Sequence, residues 1–358
     1  MVGVRPRADA TDTAPDHGFH PLRIGEVITE TAEASSFVLD VPDALRSAFT
    51  YEAGQFCTFR VRVDGQPLLR CYSMSSSPAV EEELRVTVKR TPGGVVSNWM
   101  NDHLAAGDTV EVTRPAGVFC LGAGQGDVVA FSAGSGITPV LSLVKTALVT
   151  TPRRVRLFYA NRDHDAVIFR SEIEVLQARY GERLSVSHHL DVERGLVRGD
   201  GLGTFTDVGD DADVYLCGPV PFMDIVEQAL LTRGVTAEQI HIERFTPAEL
   251  AAEPEPDVLV TAATATRVTV ELDGRIDTVD HRPGTTILQT ARQMGMSPPF
   301  SCESGSCATC MARLASGTAA MHVNNALTDD EVAAGWVLTC QAVPTSPTVH
   351  AVYGDEEG

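Results

Sequence analysis

Lysine is nearly missing from this chain of 358 residues: of 28 basic side chains only Lys89 and Lys145 are lysines, and 48 acidic residues leave a net charge of −20. A surface of that sign repels nucleic-acid phosphates and anionic lipid, so neither is expected as a partner; a basic face on another protein is what it can attract. Long apolar runs are also missing, which argues against a membrane-spanning helix. The opening MVGVRPRADATDTAPDHG lacks the apolar stretch of a secretory signal. Cysteine pairs at disulfide spacing are absent too, because Cys57, Cys71, Cys120 and Cys217 stand singly. A soluble cytoplasmic protein acting as a monomer is expected, and its length calls for two or three domains.

The remaining four cysteines are grouped. Cys302, Cys307 and Cys310 follow a C-x4-C-x2-C pattern, and Cys340 comes after a long gap. A plant-type [2Fe–2S] cluster takes four thiolates at this spacing. Small residues between them (Ser304, Gly305, Ser306, Ala308, Thr309) let the sulfurs converge while backbone N–H groups face them. A structural zinc site and paired disulfides are the alternatives. Zinc sites favour short knuckles in pairs, which this spacing does not offer.

Along the chain, residues 1–19 are polar and aperiodic and read as a disordered tail. Short alternating stretches beginning at Arg23, Ser36, Cys57, Leu84 and Thr109, with one more ending at Ser73, predict an antiparallel six-stranded β-barrel over 20–122, interrupted by one helix at about Ser97–Leu104. From 123 to 246 strands and helices alternate, predicting a parallel α/β sheet covered on both faces. Residues 247–264 carry prolines among acids and alanines and read as a semi-rigid linker. Residues 265–358 then run strand, hairpin, helix, cysteine loop, the order of a β-grasp domain.

Two stretches carry nucleotide chemistry. Arg70-Cys71-Tyr72-Ser73 ends a barrel strand and offers a flavin a cation, an aromatic face and a hydroxyl. Gly94-Val95-Val96-Ser97 opens the barrel's helix, where backbone N–H groups and the positive dipole end suit a pyrophosphate oxygen, although Ser97 can equally serve as an ordinary helix cap. In the α/β half, Gly134-Ser135-Gly136-Ile137-Thr138-Pro139 follows the first strand and opens a helix, so small residues let backbone approach a second pyrophosphate. Cys217-Gly218-Pro219 ends a strand at the same carboxyl edge. A lone buried cysteine is usually a small hydrophobe, but this position favours a place beside a nicotinamide.

Together with Gly54-Gln55-Phe56, Val86-Thr-Val-Lys-Arg90, Tyr159-Ala-Asn-Arg162, Val167-Ile-Phe169 and Ile242-Glu-Arg-Phe245, these motifs resemble the ferredoxin–NADP reductase superfamily over nearly the whole chain. Within it they resemble the three-module oxygenase reductases with a C-terminal ferredoxin, above all those of 3-ketosteroid 9α-hydroxylases and next those of phenylacetyl-CoA epoxidases. The resemblance implies an FAD- and [2Fe–2S]-dependent NAD(P)H oxidoreductase that feeds a terminal, Rieske-type oxygenase. It implies that Arg70, Tyr72 and Ser73 bind FAD with Gly94–Ser97 on its pyrophosphate, that Gly134–Thr138 and Cys217 bind the nicotinamide nucleotide, and that Glu243 and Phe245 sit at the flavin edge. Ser73 and Cys217 are the expected catalytic residues. Glu303 departs from the family, which often has Arg there.

The expected sequence of events is hydride transfer from nicotinamide to flavin, single electrons to the cluster at about −400 mV, and delivery to the oxygenase. Asn161 and Arg162 fall where the adenosine ribose should lie, and Asp163 and Asp165 would repel a 2′-phosphate, so NADH is expected over NADPH. Two rival classes are a flavin reductase serving free acceptors and an adaptor that has lost nucleotide binding. The complete cysteine set argues against the first, and the intact Gly-Ser-Gly-Ile-Thr-Pro against the second.

Overall fold

The computed structural model describes residues 2–4, 18–245, 267–296, 298–300, 302–303, 305 and 307–354. They fall into two compact units, His20–Phe245 and a second drawn from both ends of the chain.

The first unit begins with an antiparallel sheet of six strands in the spatial order Gln66–Ser73, Phe56–Val63, Thr109–Val112, His20–Thr31, Ala34–Asp40, Leu84–Lys89. Period-two alternation turns Phe37 and Leu39, Phe59 and Val61, Val86 and Val88 into one core with Leu22 and Ile24. The edges meet at a single bridge, Met74 to Val86, so the expected barrel is a curled sheet joined at one point. Its helix spans Val95–His103, two residues earlier than the sequence predicts. Gly94 is the N-cap, and the Ser97 hydroxyl accepts instead from the Thr91 N–H at 3.1 Å. Valine pairs favour strands, which hid this start.

The second half of this unit is a five-stranded parallel sheet ordered Leu184–Leu190, Val155–Asn161, Val128–Ala133, Asp213–Cys217, Ile240–Glu243. Alternate residues of the central strand enter different cores. Val128 and Ala130 pack with the helix Ile137–Thr150, and Val129 and Phe131 with the helix Val220–Thr232. Burial on both faces explains an unbroken apolar run. The chain leaves the central strand first toward Val155–Asn161 and later toward Asp213–Cys217, so the topological switch point lies at its carboxyl end.

The sheet and the barrel share a seam. Ala34, Ala53 and Phe119 from the barrel side belong to the same core as the helix Ile137–Thr150. Lys145 on that helix is 2% exposed and pairs with Glu81 of the barrel side and, at 2.9 Å, with Glu172 of the helix Arg170–Tyr180. Arg85 joins Glu172 at 3.0 Å. Ser142 Oγ donates to the Ser76 carbonyl at 2.6 Å, and Ser77 and Thr146 share a hydroxyl hydrogen bond of 2.7 Å. A buried ammonium is tolerated only with partners of this kind.

The second unit holds a five-stranded mixed sheet in the order Arg275–Asp280, Arg267–Leu272, Thr348–Val352, Met311–Ser316, Trp336–Leu338, with its one parallel pairing between Arg267–Leu272 and Thr348–Val352. The helix Ile287–Gln293 is closed at its start by a capping box between Thr286 and Gln289 and buries Ile287, Leu288 and Ala291 in the unit's core. Sheet and helix are those of the expected β-grasp. The predicted tail is corrected at one point: Val2–Val4 form a strand antiparallel to Ala319–Met321, which pairs in turn with Ala342–Pro344. Three residues are too few for a periodic signal. Residues 1 and 5–17 of that tail, and the linker expected at 247–264, lie outside the described residues. Among the described residues no helix is long and apolar enough to cross a membrane.

Candidate cofactor sites

Arg70, Cys71, Tyr72 and Ser73 occupy the end of the strand Gln66–Ser73, which pairs residue by residue with Phe56–Val63. The Tyr72 ring meets Phe59 edge-on, 5.5 Å between centroids, and burial pushes its hydroxyl pKa above the ordinary value, so the phenol stays neutral. Ser73 is 2% exposed and its Oγ has no hydrogen-bond partner. Such a group costs about 1–3 kcal/mol unless a ligand satisfies it. Gly54 is required where it is: at φ +95° a Cβ would lie 1.9 Å from the Phe119 carbonyl oxygen. At Gly94 a Cβ would lie 2.7 Å from Ser97 Oγ, and no side chain caps the first turn of Val95–His103. Val95, Val96 and Ser97 therefore offer backbone N–H groups to an anion, as a flavin pyrophosphate requires.

The residues expected to hold the nicotinamide nucleotide come together at the switch point. Gly134–Gly136 form one tight turn between the strand Val128–Ala133 and the helix Ile137–Thr150, with Pro139 inside the helix's first turn and Thr138 Oγ1 bonded to the Ser135 carbonyl at 3.1 Å. A Cβ on Gly136 would lie 2.1 Å from the Cys217 carbonyl oxygen and 2.7 Å from Gly218 N, so the turn rests directly on the Cys217-Gly218 backbone. Cys217 is paired in register with Ser132 and Glu243 and is wholly buried. Burial raises its thiol pKa well above the usual value, which leaves it uncharged and suited to contact rather than nucleophilic chemistry. Ser132 Oγ beside it is also buried without a partner. Pro219 starts the helix Val220–Thr232, and Phe245 is 38% exposed just past the last strand.

Asn161 ends its strand 5% exposed, with neither amide atom at hydrogen-bond geometry to a protein group. Arg162 is engaged: its Nε lies 2.9 Å from Asp163 and its Nη1 3.6 Å from Glu33. One residue went unassigned by sequence reasoning. A Cβ on Gly134 would lie 3.6 Å from Lys89 Nζ, which brings the chain's other lysine to the turn expected to hold the nucleotide. The signal was a lone lysine in the Val86-Thr-Val-Lys-Arg90 motif of a lysine-poor chain.

In the second unit Cys307, Cys310 and Cys340 are 5%, 2% and 8% exposed, and Cys302 is partly exposed. Glu303, Gly305 and Ala308 all have positive φ, so the loop curls around its own backbone. At Gly305 only glycine fits, since a Cβ would lie 2.8 Å from the Val323 carbonyl oxygen. The segment carrying the fourth cysteine is tied to the loop at both ends. Thr339 Oγ1 donates to the Cys310 carbonyl at 2.7 Å, and Gln341 Nε2 donates to the Glu303 carbonyl at 2.7 Å. The adjacent Cys340 thiol and burial raise the Cys310 pKa, protons that a metal would displace. Among the described residues no three His, Cys, Asp or Glu are set for a single metal ion. A two-iron cluster divides four thiolates between two irons, and three cysteines on a tightly curled loop with a fourth on the segment tied to it, mostly buried, fit that demand.

Comparison with known proteins agrees with this geometry. Residues 21–120 match an oxidoreductase FAD-binding domain, residues 131–228 an oxidoreductase NAD-binding domain, and residues 270–345 a 2Fe-2S iron-sulfur cluster binding domain. The ferredoxin reductase component of 3-ketosteroid-9-alpha-monooxygenase from Rhodococcus rhodochrous is 40% identical over 332 residues, covering 91% of this chain and 94% of that one. A subunit of the 1,2-phenylacetyl-CoA epoxidase from Escherichia coli is 33% identical over 347 residues, 92% and 96% of the two chains. The solved structure of phthalate dioxygenase reductase, a modular carrier of electrons from pyridine nucleotides to [2Fe-2S], superposes with a TM-score of 0.59 at 25% identity, covering 94% of this chain and 98% of that one. The chain belongs to the family of oxygenase reductase components that join an FAD-binding, an NAD-binding and a 2Fe-2S domain in one polypeptide.

Proposed function

We propose that this reductase takes its hydride from NADH and serves the Rieske-type terminal oxygenase of a 3-ketosteroid 9α-hydroxylase, working as a monomer in the cytoplasm. The carrying observation is the near full-length likeness, at 40% identity, to a reductase component named for that reaction. The modules are assigned as 20–122 for FAD, 123–246 for the nicotinamide nucleotide and 265–358 for the cluster, joined by residues 247–264. When bound, FAD turns a two-electron hydride into single electrons that the [2Fe–2S] centre relays.

The chain's residues do the rest. Tyr72 gives the flavin ring an aromatic face, and Ser73 Oγ, buried without a partner, is kept for its reactive edge. Arg70 and the first-turn N–H groups of Val95–Ser97 take the flavin pyrophosphate. Gly134–Thr138 cradle the nicotinamide nucleotide, with Lys89 close to the same turn, and Cys217-Gly218-Pro219 floors the nicotinamide. Arg162 supports NADH, because Asp163 and Glu33 already occupy the guanidinium that a 2′-phosphate would need. Cys302, Cys307, Cys310 and Cys340 ligate the cluster. The acidic surface turns a partner's basic face toward the protein and leaves nucleic acid and anionic membranes out of the partner set.

Reconstitution tests this. With NADH, the purified chain should drive product formation by a 3-ketosteroid 9α-hydroxylase oxygenase component and fail with the oxygenase of a phenylacetyl-CoA epoxidase. The reverse result would move the assignment to the epoxidase, and a higher kcat/KM for NADPH would overturn the choice of nucleotide.

A further inference from the structure

The helix Ile287–Gln293 ends beside the cysteine loop, and Arg292 in its last turn meets Glu303 as a two-pronged fork. Nη2 lies 2.9 Å from Oε1, and Nη1 lies 3.1 Å from Oε2. The same guanidinium covers the Phe300 ring, its carbon 3.8 Å from the centroid. Glu303 directly follows Cys302 and holds a left-handed backbone, φ +49°, which a residue with a long side chain keeps only when its surroundings impose it. Gln341 imposes it from the other side: Nε2 donates to the Glu303 carbonyl and lies 3.7 Å from Cys340 Sγ. A charged pair is thus fixed one residue from Cys302 of the loop and connected through a single amide to Cys340. The carboxylate is 18% and the guanidinium 32% exposed, so water screens them only in part.

We propose that Arg292 is a positioning residue for electron transfer: by neutralising Glu303 it sets the reduction potential of the [2Fe–2S] centre. The proposal rests on the reading of Cys302, Cys307, Cys310 and Cys340 as the cluster ligands. Reduction adds one negative charge to the centre, so a bare carboxylate beside it opposes the electron and a bare cation favours it. Paired, the two nearly cancel. Removing either partner therefore moves the potential, and the two removals move it in opposite directions. A pair that only pinned the loop would give the same direction for both.

The test is an EPR-monitored redox titration of the full-length chain, preceded by iron and acid-labile sulfide analysis. Arg292→Gln should lower the midpoint potential and Glu303→Gln should raise it, each by about tenfold in the reduction equilibrium constant, ~59 mV for one electron. The double variant should return near wild type, and Arg292→Lys, which keeps the charge but loses the fork, should stay near it. If Arg292→Gln holds no cluster, the direction of the Glu303→Gln shift decides alone. Unmoved potentials, or shifts of the same sign, overturn the proposal while the ligand reading stands. A wild-type chain without iron and sulfide overturns the ligand reading itself.

Discussion

Residues 20–245 and residues 267–354 prepare their cofactor sites by different means. In the first region the sites are mostly backbone: glycine turns, an uncapped helix start, and small buried hydroxyls such as Ser73 and Ser132 left without partners. The supporting cores are complete in protein side chains alone, and the Lys145 seam fixes barrel against sheet. In the second region the candidate site is made of side chains, three thiols on a loop whose curl depends on three positive-φ residues and a fourth on the segment that Thr339 and Gln341 tie to it. A backbone site is preformed and reloadable. A thiol site is completed by what it binds, so damage there is expected to be all or none.

The largest effect should come from Cys307→Ser. Three thiolates cannot complete the two irons, so the cluster should be lost and NADH-driven cytochrome c reduction should fall to background, while ferricyanide reduction through the flavin persists. A chain ending at Thr246 should behave alike. If it reduces cytochrome c as fast as the full protein, the flavin feeds protein acceptors directly and the contrast between the regions collapses.

Next comes Lys145→Met, which strips two carboxylates of a buried partner. It should cost about 3 kcal/mol, the low end for breaking a buried pair, because Glu81 and Glu172 keep some access to water. Chemical unfolding followed by flavin fluorescence measures it, and the cluster absorbance should not move. Gly136→Ala should cost about 2 kcal/mol of nucleotide binding through displacement of the turn from Cys217, read as a rise in KM for NADH with FAD content unchanged. Tyr72→Ala should be mildest, about 1 kcal/mol of lost aromatic contact, seen as FAD released on dilution with the cluster spectrum intact. Unchanged FAD content would remove Tyr72 from the flavin site. Loss of cluster in any of these three would show that the regions are not separable.

Strand alternation, the glycine turns and the cysteine spacing are local signals, and they placed the fold and the candidate residues from the sequence. What escaped was set by partners far along the chain. Lys145 stands in an otherwise uncharged helix and gives no hint of Glu81, 64 residues away. The Arg292–Glu303 fork needs a helix end and a loop brought together by a sheet neither belongs to. Lys89 acquires meaning only when its strand meets the Gly134 turn. Val2–Val4 finds its strand partner 315 or more positions later. The helix start at Val95 was lost to a competition between residue preferences, strand-favouring valines against a glycine cap.

The placement of the two lysines has a practical consequence. Amine-directed coupling, a common way to fix a redox protein to an electrode or a label, finds one ε-amine sealed in the seam and the other beside the Gly134 turn proposed for the nucleotide. Any lysine adduct should therefore report on, and obstruct, coenzyme entry, and NADH should protect against it. Carboxylate-directed chemistry, with 48 acidic side chains to choose from, spares that turn but falls on the surface offered to a partner's basic face.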